Sequence, residues 1–161
     1  MAFRGDATLR IVDADIALKA LVDTTFGDAK DGALSIRLAE PLTEKNSGTI
    51  MNSEGGRGMD QTWGKAASWV DYSGELNGEK IGVVLFEHPD SFHYPSRWHV
   101  RDYGLLAVNP FGSNAFDKQA RLAKFVLVSG KSLRLRYRIV IHSAMDTVQI
   151  EKLYRQFAAE K

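Results

Sequence analysis

Lys131-Ser132-Leu133-Arg134-Leu135-Arg136-Tyr137-Arg138-Ile139-Val140-Ile141-His142 alternates along most of its length. Leu133, Leu135, Tyr137, Ile139 and Ile141 fall on one side of an extended chain. Arg134, Arg136, Arg138 and His142 fall on the other. A period of two is the mark of a β-strand with one apolar face. The arginine row reads as a solvated outer face that also discourages edge-to-edge pairing. An anionic-ligand site on that row is the alternative.

The same period recurs on either side of this stretch. Thr8–Asp23 places Val12, Ala14, Ile16, Leu18, Ala20 and Val22 on even positions, with Asp13, Asp15, Lys19 and Asp23 between them. That is one long half-buried strand, or two joined at a bend. Ala33–Leu38 alternates as well and stops at Pro41. A short strand fits Thr49–Ser53. Glu54–Gln61, with Gly55, Gly56 and Gly58, reads as a flexible surface loop. Ala66–Ser73 and Lys80–Glu87 flank Asn77-Gly78, a strong hairpin signal because both residues tolerate positive φ. Ile81–Phe86 is apolar on both faces and predicts a central strand. Trp98–Tyr103 and Leu105–Val108 break near Gly104. Arg121–Val128 and the opening stretch predict a last hairpin across Ser129-Gly130.

Only the C-terminus reads as a helix. Asp146 is its N-cap, with Gln149 three residues on, Met145 stapling to Ile150, and Val148, Leu153, Tyr154 and Phe157 as its stripe. Eight to ten strands and one helix predict an all-β, antiparallel sandwich or barrel-like sheet pair. Residues 1–161 read as one domain without internal repeats.

Composition excludes several functions. The chain has 161 residues, 44% hydrophobic and 25% charged, which suits a folded domain. Its formal charge of +1 offers nothing to nucleic acid or an anionic membrane. With no cysteine there is no disulfide, thiolate nucleophile or zinc ribbon. No apolar run is long enough to span a membrane. Met1–Asp6 lacks the apolar core of a signal peptide, so the chain as written is expected in the cytoplasm, or in the periplasm if its natural N-terminus is missing.

The chemistry-bearing side chains concentrate between Glu87 and Tyr103, where three of the four histidines lie: His88, His93 and His99. Imidazole and carboxylate together perform acid–base work or ligate metal. The histidine spacings match no strong metal signature. Three readings stay open: a loop whose polar groups satisfy the backbone, a small-molecule site, and a metal site. A strand over Trp98–Tyr103 puts His99, Arg101 and Tyr103 on one face. Such a face is costly to bury unpaired, so it is either solvated or lines a pocket. Arginine there offers a planar fork to carboxylates, phosphates or vicinal hydroxyls. Trp63, Trp69 and Trp98 either pack the core or stack on a sugar. Glu54 and Lys65 are weaker candidates. Gly55-Gly56-Arg57-Gly58 lacks the Lys-Ser/Thr ending of a phosphate loop. A nucleophile elbow is missing too.

Several segments resemble a bacterial family labelled "methane oxygenase PmoA" or PmoA-like. They are Thr25-Phe26-Gly27-Asp28, Ser35-Ile36-Arg37, Trp63-Gly64-Lys65, Trp69-Val70-Asp71-Tyr72-Ser73-Gly74, His88-Pro89-Asp90, Trp98-His99-Val100-Arg101-Asp102-Tyr103-Gly104-Leu105, Asn109-Pro110-Phe111-Gly112 and Leu133–Arg138. The resemblance runs in order along nearly the whole chain. It matches the C-terminal half of a longer architecture, whose N-terminal histidine-rich and Trp-rich segments are not found here. The methane monooxygenase subunit of that name is a membrane protein, and no such span exists in this sequence.

The resemblance implies a link to saccharide catabolism and a mutarotase-like super-sandwich, whole or one half of it, with ligand on a sheet face. On that basis His88, His99 and Arg101 are the candidate catalytic residues. His88 or His99 would move a proton and Arg101 would orient a carbonyl or carboxylate oxygen. Glu87, Trp98, Tyr103, Asn109 and Arg37 are the candidate ligand contacts. No cofactor is expected. The rival is a copper- or iron-dependent oxygenase with His88, His93, His99 and Glu87 as ligands. A third reading is a non-catalytic half-domain that packs on a partner, and an uncovered sheet edge predicts a homodimer.

Overall fold

The alternating stretch forms one strand, Ser132–Ser143, which lies inside a sheet and not at its edge. The computed structural model describes residues 1–6, 8–120 and 124–161. In chain order the elements are β1 (Ala2–Gly5), β2 (Leu9–Lys19), β3 (Thr24–Phe26), β4 (Leu34–Arg37), β5 (Thr49–Asn52), α1 (Gly58–Thr62), β6 (Trp69–Leu76) and β7 (Glu79–Glu87). Then follow β8 (Arg97–Arg101), β9 (Leu105–Asn109), α2 (Ser113–Phe116), β10 (Phe125–Leu127), β11 (Ser132–Ser143) and α3 (Thr147–Ala158). The large sheet has the order β1-β2-β11-β7-β6-β5; a three-stranded sheet runs β4-β9-β8, and β10 pairs with β3. Every pairing is antiparallel.

Side-chain alternation divides the large sheet between two cores. Leu133, Leu135 and Tyr137 join Val70, Tyr72 and Leu85 against Trp98, Val100, Leu106 and Val108 of the small sheet. The opposite face presents Trp69, Val84, Phe86 and Val140 to Ile150, Tyr154 and Phe157 of α3. The result is the expected antiparallel sandwich with a C-terminal helix on its outside. Tyr72 ties the sheets together: its hydroxyl accepts from Glu44 N at 2.7 Å and donates to Asp102 O at 3.0 Å. The helix starts as expected, since Asp146 and Gln149 form a reciprocal capping box. Val148 is exposed, and Ile150 takes the buried place in the stripe.

Several expectations change. The arginine row is solvated only at Arg134. Arg134 is exposed, but Arg136 and Arg138 are buried beneath the helix. Arg138 is held by Asp13 at 2.5 Å and by Glu160 at 2.7 Å. The last hairpin does not form: β11 pairs with β2 and β7, while β10 pairs with β3. Gly130 N donates to Ala20 O, and Ala20 N donates to Lys131 O. The two chain segments therefore bend together there and pass from the large sheet into the β3–β10 ribbon. Thr8–Asp23 accordingly holds one strand, Leu9–Lys19, and the bend at its end leads into β3, which begins at Thr24. Of the strand expected over Arg121–Val128, residues 121–123 lie outside the described residues.

Glu54–Gln61 is tied down and includes α1. Asn52 Oδ1 accepts from Glu54 N and Gly56 N, and the Glu44 carboxylate accepts from Met59 N. The chain also contains β1 and α2, which periodicity did not reveal because both are too short. No helix among the described residues is long and apolar enough to cross a membrane.

Phe157 packs on Phe86, edge-on to His88, and beneath the Arg138 guanidinium. Phe157→Ala should cost about 3–5 kcal/mol. Urea unfolding measures this, and a cost within error of zero would show that α3 is dispensable to the sheet.

Candidate functional site

Trp98 and Val100 on β8, and Leu106 and Val108 on β9, face the core. Alternation then sends Arg97, His99 and Arg101, with Leu105, Ala107 and Asn109, to the outer face. β4 adds Ser35 and Arg37. The register aligns Arg37, Leu105 and Arg101 in one row, Ser35, Ala107 and His99 in the next, and Asn109 with Arg97 in the third. Gly104, at φ +91°, makes the tight return between β8 and β9.

Rings and loops border this face. The Arg101 guanidinium lies 5.6 Å from the Trp63 ring centroid. Phe116 stands edge-on to Trp63 at 5.3 Å and to His99 at 6.0 Å. The Trp63 indole N–H is buried without an acceptor among the described residues. Arg101 Nε donates to His99 Nε2 at 3.2 Å, leaving Nδ1 as the protonated nitrogen, 3.9 Å from Asp31 Oδ1. Burial and the Arg101 charge hold His99 below the ordinary histidine range, so it is neutral. Arg37 stacks 4.8 Å over the ring of exposed Tyr103, which Lys45 also approaches at 5.9 Å. Beside the third row opens a cleft of about 400 Å³ whose lining includes His93, Ser96, Arg97, Asn109 and Ser113.

Four of the expected residues thus share one side of one sheet, Arg37, His99, Arg101 and Asn109, and Tyr103 in the adjoining turn lies beneath Arg37. Asn109 spends its amide on the turn, donating to Ala29 O at 2.7 Å and accepting from Phe111 N at 2.9 Å. The others are elsewhere. Trp98 is fully buried and donates its indole N–H to Ala67 O, so it packs the core. Glu87 lies between the sheets, where its carboxylate meets Ser96 N at 2.7 Å and Ser96 Oγ at 2.6 Å. His88 is on the far side of the large sheet. It accepts from Asp90 N, donates from Nε2 to Glu160 O at 3.0 Å, and latches the end of the chain. Burial and the Arg136 charge hold it below the usual histidine range.

His93 stacks on Phe92 and donates Nδ1–H to Pro110 O. The three histidines therefore point to three different places. The oxygenase ligand set of His88, His93, His99 and Glu87 is not assembled, and no group of three metal-ligating side chains gathers among the described residues. Arg97, Phe116 and Asp31 were missed. Arg97 shares the parity of His99 and Arg101 and was legible in principle. Phe116 and Asp31 arrive from loops and were not.

The arginines fall into two classes. Arg134, Arg136 and Arg138 on β11 each meet a carboxylate. Among the described residues Arg37 and Arg101 meet none, only rings and His99.

Burial pushes Glu87 up to about 7 from 4.5, with the Ser96 bonds opposing it. Its folded pKa is raised, so this contribution to stability is complete below pH 4.5 and lost as the pH rises through about 7. Glu87→Gln should therefore gain about 3 kcal/mol relative to wild type between acid and mildly alkaline pH. Urea unfolding of both proteins at about pH 5 and about pH 8 measures it, and a pH-independent difference would overturn the assignment.

Comparison with curated proteins finds no match, and comparison with solved structures finds none either. Residues 1–155 match a family of unknown function, DUF6807, and the chain belongs to that family.

Proposed function

We propose that this protein binds a saccharide or sugar derivative on the outer face of the β4–β9–β8 sheet, and that the ligand carries a carboxylate or phosphate. The observation that carries the reading is the Arg37–Leu105–Arg101 row, whose two guanidiniums have aromatic rings and a histidine as neighbours and no carboxylate among the described residues. A guanidinium that lies over a ring keeps donors for a planar anion, and Arg101 commits only its Nε to His99. Trp63 and Tyr103 offer rings for the apolar face of a sugar. His99, neutral and half-committed to Arg101, is the proton-transfer group if the ligand reacts. The resemblance to proteins linked with saccharide catabolism points the same way.

Thermal unfolding against sugar acids, sugar phosphates and the parent neutral sugars tests the assignment. Binding to the folded state raises the midpoint by mass action. A charged sugar should raise it, and Arg101→Ala or His99→Ala should abolish the shift. A shift that survives both changes places the ligand elsewhere.

We also propose that the protein self-associates. The edge strand β1 is exposed throughout, and Leu21, Val22, Val126 and Val128 are exposed around the β3–β10 ribbon. Light scattering should give a dimer mass, and a monomer at high concentration would count against it.

A further inference from the structure

On the helix side of the large sheet, one row differs from its neighbours. The register aligns Thr49 of β5, Ser73 of β6, Gly82 of β7 and His142 of β11. The next row is Met51, Asp71, Val84 and Val140. α3 begins only at Thr147, and the Thr49–His142 row opens beyond its start.

Asp71 reaches diagonally across Gly82. Its Oδ1 accepts from His142 Nε2 at 2.9 Å, and its Oδ2 accepts from the Ser73 hydroxyl at 2.5 Å. His142 Nδ1 donates to Ser143 O at 2.7 Å. Both ring nitrogens face acceptors, an arrangement that favours the protonated ring. Burial works against that charge, but the Asp71 carboxylate holds His142 above the ordinary histidine range. The bridge requires glycine beneath it. A Cβ on Gly82 would sit 2.2 Å from His142 Cε1 and 2.5 Å from Ser73 Oγ.

This arrangement is hard to explain as a source of stability. A buried ion pair does little better than apolar side chains of the same volume, and the layer around it is apolar. A glycine inside a strand also weakens the strand. What the arrangement does is fix one hydroxyl. Ser73 is half-buried and lines a cleft of about 430 Å³ with Ser47, Thr49, Lys80, Ile81 and Met145. Its O–H is committed to Asp71, so its oxygen is left as an acceptor. The Thr49 hydroxyl likewise donates to Ser73 O, at 3.4 Å. Met145, which packs against the helix-side core, supplies apolar surface. The volume is that of a small-molecule site.

We propose that this cleft is a second binding site, for a neutral polyhydroxy compound of monosaccharide size, in which a ligand hydroxyl donates to Ser73 Oγ and the Asp71–His142 pair positions that oxygen. The cleft opens at the end of the large sheet beyond the start of α3, and no residue of β4, β8 or β9 lines it.

Isothermal titration of the full chain with glucose, galactose, mannose and xylose tests it. At least one should bind. Ser73→Ala should weaken that binding about tenfold, the worth of one hydrogen bond. Thr49→Val, an exposed change on an edge strand, should also weaken it and decides the matter if Ser73→Ala fails to fold. Arg101→Ala should leave it unchanged. The proposal is overturned if none of the four sugars binds, if binding is indifferent to the Ser73 and Thr49 changes, or if Arg101→Ala removes it.

Discussion

β11 is hydrogen-bonded along both edges and covered on both faces, and most of the molecule follows from satisfying it. Its backbone is paired with β2 and β7. Its apolar side forms the floor of the main core. Its other side carries arginines that cannot be left alone under a helix, because an unpaired buried charge is prohibitive. Arg138 is therefore clamped by Asp13 on the neighbouring strand and by Glu160 beyond the helix. Arg136 reaches Asp90 and the Glu160 carbonyl. Docking of α3 thus needs carboxylates at set places as well as Ile150, Tyr154 and Phe157.

That accounting also separates the arginines that build the fold from those that are free for other work. On β11 each guanidinium ends on a carboxylate. On the outer face of the small sheet Arg37 and Arg101 end on aromatic rings and a neutral histidine. Stacking orients a guanidinium without neutralising it. A row of cations with no carboxylate partner among the described residues is an expense in stability with no structural return, and the proposed ligand face rests on that.

Two buried carboxyls show how differently the same group behaves. Glu87 has serine partners only, so desolvation governs it and it keeps its proton to about 7. Asp71 has a serine and His142 as partners, and its carboxylate holds that histidine above the ordinary range. The difference lies in one neighbour. Glu87 faces Tyr137, whose buried hydroxyl has no partner among the described residues, whereas Asp71 faces His142 across a residue without a side chain.

The sequence by itself determined the fold class, the strands with clear alternation, the Asn77-Gly78 hairpin, the capped C-terminal helix and the shared face of His99 and Arg101. Each depends on the backbone's own period or on a local cap, and needs no knowledge of distant contacts. Tertiary structure alone decided the rest. Parity says that Arg136 and Arg138 share a face, but only the arrival of α3 says that the face is buried. Parity likewise separates Glu87 from His88, but only strand order sends one between the sheets and the other beneath the helix. The Asp71–His142 bridge joins strands far apart in the chain, and its single local trace is a glycine in an apolar run. Local geometry is written residue by residue, whereas burial, charge pairing and ligand access depend on which segments come to lie side by side.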